Sequence, residues 1–309
     1  MGAVLTVLLG LSGALVYGAA DFLGGVASRR LRAVTVAAAA AAVGILPLLL
    51  GFVVVGGEVS ASATLWGLVA GASGGVGVLL LYRALAIGPM SVLSPLTAVF
   101  SAVVPVLVAV VRGTALSPLA VGALVVAVVA VVLVAAVRDT SGAHVTARGL
   151  LTAGVAGCGF GGIVLAYDMT PADSGVVPLV VARVLQAVLL GTAAVVSARV
   201  VRPGGTADPA APADVAGSAV PPGRSAWTRR VTVAVLACGV LDALANVCIQ
   251  AALHSSDDPV TLPVVSVLNA LYPIGTVVLA GVVLRERLTA VQWIGIVLAC
   301  CASVGLALA

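Results

Sequence analysis

The chain contains no lysine: all 15 of its basic residues are arginine. Charge of either sign is scarce, at 8% of 309 residues, and aromatic side chains make up 4%. So few charges cannot cover a water-soluble domain of this length, which excludes an ordinary globular enzyme. A basic nucleic-acid-binding face is excluded too. The formal net charge is +4 and the pI about 9.0, but nearly all the arginines fall between apolar runs, where they act as topology determinants. The five cysteines, Cys158, Cys238, Cys248, Cys300 and Cys301, are odd in number and lack CxxC spacing. That removes a disulfide framework and a cysteine metal site and leaves small thiols inside apolar runs. The two histidines, His144 and His254, fall at or beyond the ends of runs, too shallow for a buried relay. HExxH and other zinc patterns are absent, and no motif calls for a cofactor.

What is present is apolar. Hydrophobic residues make up 62% of the chain and the mean hydropathy is +1.27. Ten runs are each about 20 residues long, enough to cross a bilayer core about 30 Å thick. Their limits are 3–27, 33–56, 63–86, 91–111, 115–137, 148–168, 175–198, 230–253, 260–284 and 289–309. The fold class is therefore an all-α integral membrane protein with ten transmembrane helices, its partners a lipid bilayer and whatever solute it handles. Nothing in the sequence fixes an oligomeric state. With no basic region before it, the first run reads as a span rather than a cleaved signal. One connection is long: 199–230 contains PGGTADPAAPADVAGSAVPPG and reads as a solvated, flexible loop.

The chain repeats itself. Pro95 and Pro105 recur as Pro263 and Pro273 at one offset of 168 residues, and Ala84 recurs as Ala252 at that same offset. A short polar turn follows each proline pair, VRGTALSP in the first copy and LRERLTAVQ in the second, and then one apolar run. The division is 1–140 and 141–309, with five spans each. Five is odd, so the second half is expected upside down relative to the first, as in secondary transporters built from inverted repeats.

The segments LYRALAIGPMSVLSPLTAVFSAVVPVLVAVV and DDPVTLPVVSVLNALYPIGTVVLAGVVLRERLTAVQWIGIVLA resemble helices four and five of the two EamA-type repeats of the drug/metabolite transporter superfamily. The resemblance implies ten helices in an inverted repeat around a central cavity lined by helices one to four and six to nine. It does not imply a substrate. The first half departs from the pattern, with Arg112-Gly113-Thr114 in place of the acidic turn, leaving Glu286 as the sole carboxylate of that kind.

Candidate site residues come from polar groups inside the spans, where an unpaired charge costs about 2.5–3.5 kcal/mol on insertion scales. Asp242, Asn246 and Gln250 recur every fourth residue of one run and so fan over one helix face. Arg183 lies inside another run with Gln186 one turn on, making it the leading partner for Asp242. The two either bind a solute's carboxylate and amine, with Asp242 also able to carry a coupling proton, or form a structural ion pair. Tyr17 and Asp21 lie one turn apart in the first run; Asp21 either binds solute or pairs at the interface with Arg29 or Arg30. Asn269, between Pro263 and Pro273, serves either a solute or backbone freed by Pro273. Pro95, Pro105, Pro263 and Pro273 are expected to kink or gate helices four and nine. Gly67, Gly71 and Gly75, like Gly157 and Gly161, form small-residue ridges for close helix packing.

These readings favour a secondary transporter of small organic metabolites, amino-acid-like solutes first, working outward by alternating access in the plasma membrane, with proton coupling as an option. A multidrug or lipid-linked solute exporter of the same fold and a non-transporting scaffold are the alternatives. An intramembrane serine protease is disfavoured. Its GxSG motif occurs at Ser73 but equally at Ser12, and no midspan His supplies a base. Connections after odd-numbered spans hold 13 arginines and those after even-numbered spans only Arg112. The positive-inside rule therefore places both termini outside, whereas the family resemblance implies both inside.

Overall fold

The computed structural model describes residues 2–28, 30–87, 90–135, 146–200, 227–283 and 289–308, and among them it is helical with no strand. The helices are α1 (Gly2–Ser28), α2 (Ala33–Val55), α3 (Ala61–Ile87), α4 (Met90–Val111), α5 (Pro118–Ala135), α6 (Ala147–Asp168), α7 (Val177–Val200), α8 (Arg229–Leu253), α9 (Thr261–Asn269), α10 (Tyr272–Val283) and α11 (Ala290–Leu308). Helices are what such sequences must form, because hydrocarbon offers no partner to a free backbone N–H or C=O. Their ends follow local chemistry. Thr146 Oγ1 accepts from Gly149 N at 3.1 Å and Ser60 Oγ from Ala63 N at 3.0 Å, capping α6 and α3. Gly56 ends α2 in the left-handed region, at φ 79°.

The expected span 260–284 is not one helix. It divides at Ala270–Leu271 into α9 and α10. Pro273 has no N–H to give to the carbonyl four residues back, so α9 ends and α10 begins with the proline in its first turn. Pro263 lies in the first turn of α9, where it has no helical bond to remove, so it starts a helix rather than kinking one. Of Pro95 only the backbone, within α4, is described. Arg29, His144 and Glu286 lie outside the described residues.

Six helices, α1, α2, α3, α6, α7 and α8, contain segments long and apolar enough to cross a membrane; shorter apolar segments lie in α4, α5, α9–α10 and α11. The outward faces are apolar as well. Val54 is 84% exposed, Leu46 64% and Val188 58%, a surface suited to lipid tails and not to water.

Packing is set by small residues. The α3 ridge seats on α7: a Cβ on Gly67 would stand 2.8 Å from Pro178 O, and one on Gly71 2.7 Å from Ala182 O. Gly161 of α6 meets Ser101 O and Pro105 Cδ of α4, each 3.1 Å from where its Cβ would be. Beyond these contacts α1 packs on α8, α9 and α10; α2 on α7 and α8; α3 on α6; α4 on α9; and α5 on α11. At one end of the bundle the connections meet each other. Glu58 N donates to Asp173 O at 2.9 Å, Thr6 and Ser255 share a hydroxyl bond of 2.6 Å, and Arg112 pairs with Asp168 at 3.5 Å. This end, where α1 begins and α11 finishes, is called the terminal end below.

Candidate functional site

Two helices deliver the charged centre. Arg183 stands six residues inside α7 and Asp242 eleven residues before the end of α8, about 9 and 16 Å in from the terminal end. The long arginine side chain spans the difference, and its guanidinium forms an ion pair with the Asp242 carboxylate. Side-chain exposure is 9% for Arg183 and 21% for Asp242, so the pair is largely taken out of solvent. Arg183 Nη1 also donates to Gln186 Oε1 at 3.0 Å. Two glycines make room. Arg183 Cδ lies 3.6 Å from where a Cβ on Gly44 would be, and the Gln186 amide occupies the place of a Cβ on Gly74.

Helix α1 supplies the facing wall. A Cβ on Gly13 would lie 3.3 Å from Ala245 O, and one on Gly24 3.3 Å from Cys238 Sγ. This antiparallel register puts Tyr17 and Asp21, between those glycines, level with Asp242, between Cys238 and Ala245. Tyr17 lies within electrostatic reach of Asp242, Arg183, Tyr167 and Asp21. Asp21 is within reach of Asp242, and Tyr272 of Asp21. Asp21 is exposed, and among the described residues it makes no ion pair.

The remaining candidates lie nearer the terminal end. Asn246 is buried and donates through Nδ2 to Asp242 O at 2.8 Å, a bond within its own helix. Gln250, about 12 Å along α8 from Asp242, donates through Nε2 to Gly175 O at 2.9 Å and ties α8 to the connection between α6 and α7. A cleft of about 170 Å³ opens beside it, lined by Gly175, Val176, Leu179 and His254 among others. A larger apolar hollow, about 270 Å³, lies on α11 between Trp293 and Leu298, away from every charged candidate. Asn269 follows Leu268, which touches Gly10 of α1; that level is about 10 Å from Tyr17 along α1. Gln250 Oε1 and Asn269 Oδ1 are buried and accept no hydrogen bond from the described residues. The candidates therefore form a column along the bundle. Tyr17, Asp21, Arg183, Gln186 and Asp242 stand at one level, Gln250 and Asn269 at a second, with Asn246 between.

Two further residues join the charged level. Tyr167, near the end of α6, is buried and lies within reach of Arg183 and Asp242; Tyr272, at the start of α10, lies within reach of Asp21. Neither is singled out by the sequence: Tyr167 ends its run beside Asp168, and Tyr272 lies in the middle of the expected span 260–284. The signal for Tyr272 is the proline after it, which breaks the helix there. His254 does not act as a base for Ser73. Its ring nitrogens lie 3.0 Å from Gln250 O and 3.0 Å from Thr170 O, whereas Ser73 packs against Gly162 of α6.

Comparison with known proteins agrees with this architecture. Residues 213–308, about the C-terminal third of the chain, match the model of the EamA-like transporter family. A solved crystal structure shares the fold over 97% of this chain and 97% of its own, with a TM-score of 0.71 at 14% sequence identity. No curated protein matches the chain.

Proposed function

We propose that this EamA-type membrane protein is a secondary transporter of small organic metabolites, moving amino-acid-like solutes outward across the plasma membrane by alternating access. The carrying observation is the Arg183–Asp242 pair, buried between α7 and α8 and ringed by Tyr17, Tyr167 and Gln186. A purely structural pair is a poor bargain in an apolar interior, where desolvation offsets much of the attraction. A carrier has a use for it, because a charged solute or a proton can compete for either partner.

Ten spans in two inverted halves, 1–140 and 141–309, complete the reading. Support comes from a two-fold exchange of packing partners. Pairing the halves helix by helix, with α9 and α10 together as the ninth span, the contact of α1 with α8 corresponds to that of α6 with α3. Likewise α4 with α6 corresponds to α9–α10 with α1, and α3 with α7 to α8 with α2. The column of polar candidates crosses from one half to the other, as a solute route at a repeat interface does. The bonds at the terminal end close that end. Opening it requires loss of the Gln250–Gly175 and His254–Thr170 bonds. Arg30, Arg32, Arg83, Arg148, Arg229 and Arg230 lie at the other end, which we assign to the cytoplasm.

An untargeted screen of metabolites released by cells with and without the protein tests the carrier reading. Release of a defined organic solute that depends on the protein supports it; identical profiles contradict it. Proton coupling through Asp242 or Asp21 predicts that an imposed pH gradient drives uptake of that solute into proteoliposomes, and indifference to the gradient removes coupling.

A further inference from the structure

We propose that Asp21 sets the charge of the solute: the protein takes an amine that carries a positive charge, and Asp21, together with the exposed edge of Asp242, holds the ammonium group. The inference rests on the carrier reading above and sharpens its substrate class from amino-acid-like zwitterions to protonated amines in which a carboxylate is dispensable.

The argument begins with Arg183, the one cation at this level among the described residues. Its guanidinium is bound to Asp242 on one side and to Gln186 Oε1 on another, and its side chain is 9% exposed. Little of it is left to receive a solute's carboxylate. Asp242 is compensated by the same contact. Asp21 is not. It lies level with Asp242 through the α1–α8 register, it is exposed, and no described cation pairs with it. Arg30 is nine residues further along, about 14 Å away on a helix.

Two carboxylates thus lie within reach of each other, and the one arginine at this level pairs with Asp242 alone among the described residues. The group holds one more carboxyl than cation, counting Asp21, Asp242 and Arg183. An uncompensated carboxylate inside a membrane span is costly, so the space between Asp21 and Asp242 is where a cation gains most. The neighbours suit an organic ammonium. Tyr17 and Tyr272 lie within reach of Asp21, and phenol rings add both cation–π attraction and oxygen acceptors. Cys238, one turn from Asp242 and within electrostatic reach of both Asp242 and Asp21, carries no positive charge. A solute with a carboxylate alone would face two like charges with Arg183 already engaged.

The test is binding to the purified full-length protein in nanodiscs, with three probes that share one ring and chain and differ in charge: phenethylamine, phenylalanine and 3-phenylpropionate. Thermal stabilisation and quenching of intrinsic fluorescence report affinity. The expected order is phenethylamine, then phenylalanine, with 3-phenylpropionate weakest by at least about tenfold. Asp21→Asn should remove that preference, lowering phenethylamine affinity by about tenfold or more, while Asp21→Glu restores most of it. A preference for 3-phenylpropionate, an unchanged order in Asp21→Asn, or no binding of any probe overturns the proposal. Because the readout is binding and not flux, such a failure leaves the carrier reading to its own release screen. Selective binding by a protein that releases no solute contradicts the carrier reading alone.

Discussion

Helix α4 and the α9–α10 segment carry the same proline spacing, Pro95 with Pro105 and Pro263 with Pro273, yet α4 runs unbroken from Met90 to Val111 while the other splits at Ala270–Leu271. Both cross a glycine-bearing helix closely. Along α4, Ser101 Oγ donates to Ala98 O at 2.8 Å, and Thr97 Oγ1 donates to Ala153 O of α6 at 3.2 Å. A Cβ on Gly157 of α6 would stand 2.5 Å from Thr97 O, and Gly161 leaves space for the Pro105 ring. Along α10 the backbone meets α1. A Cβ on Gly18 would run into Tyr272 O and stand 2.7 Å from Gly275 Cα, and Thr276 Oγ1 donates to Gly18 O at 3.0 Å. Proline spacing alone thus does not decide between an unbroken helix and a broken one, and neither does a close backbone crossing, since both segments have one. The broken segment also sits beside the charged centre through Tyr272, which gives it the better position for a hinge.

The sharpest way to break this comparison is to remove a carboxylate on each side. Asp242→Asn strands a buried guanidinium and should lower stability by about 3–5 kcal/mol, read from unfolding in mixed micelles. Asp168→Asn, which removes the partner of Arg112, a side chain 45% exposed beside the intact α4, should cost less than about 1 kcal/mol. Equal losses would mean that the central pair is not buried as described.

Next in size are the glycine crossings. Gly18→Ala forces backbone against backbone and should cost about 1–3 kcal/mol, whereas Gly161→Ala meets a proline ring edge and Ser101 O at 3.1 Å and should fall near the lower end, about 1 kcal/mol. Thermal unfolding of the two variants checks the order, and a costlier Gly161→Ala contradicts it. The smallest contrast lies in the hydroxyls. Thr276→Val loses a bond between helices and should cost about 1 kcal/mol, while Ser101→Ala loses one within a turn and should cost about 0.5 kcal/mol. Matching values would show that the α1–α10 bond adds nothing to the crossing.

Much of this arrangement is legible in the sequence. Run lengths anticipate the helices, six of which contain segments long and apolar enough to cross a membrane. The glycine ridge at 67, 71 and 75 seats on α7 as its spacing requires, and Arg183 pairs with Asp242 as charges in a low-dielectric interior do. Periodicity fails where the outcome depends on a neighbour. Asp242, Asn246 and Gln250 share a face, yet Asn246 turns back to its own helix and Gln250 to Gly175, since a helical stripe specifies direction but not which acceptor lies within reach. Pro273 marks where the helix breaks, but the recruitment of Tyr272 to the charged level goes with the contact of α10 with Gly18 of α1, which no local pattern in 260–284 reveals. Tyr167 reaches Arg183 only through the way α6 leans on its neighbours.

The orientation of the bundle is checked by fusing a reporter active only in the cytoplasm to Ala309: the arginine distribution predicts silence there, and activity reverses the assignment. The central claim, that the buried pair serves transport and not architecture, is tested most directly by replacing both members. The double variant Arg183→Leu with Asp242→Leu leaves no stranded charge, so the account predicts a protein that folds to normal levels in the membrane and no longer releases the solutes identified for the wild type. Release at the wild-type rate from the folded double variant would contradict it.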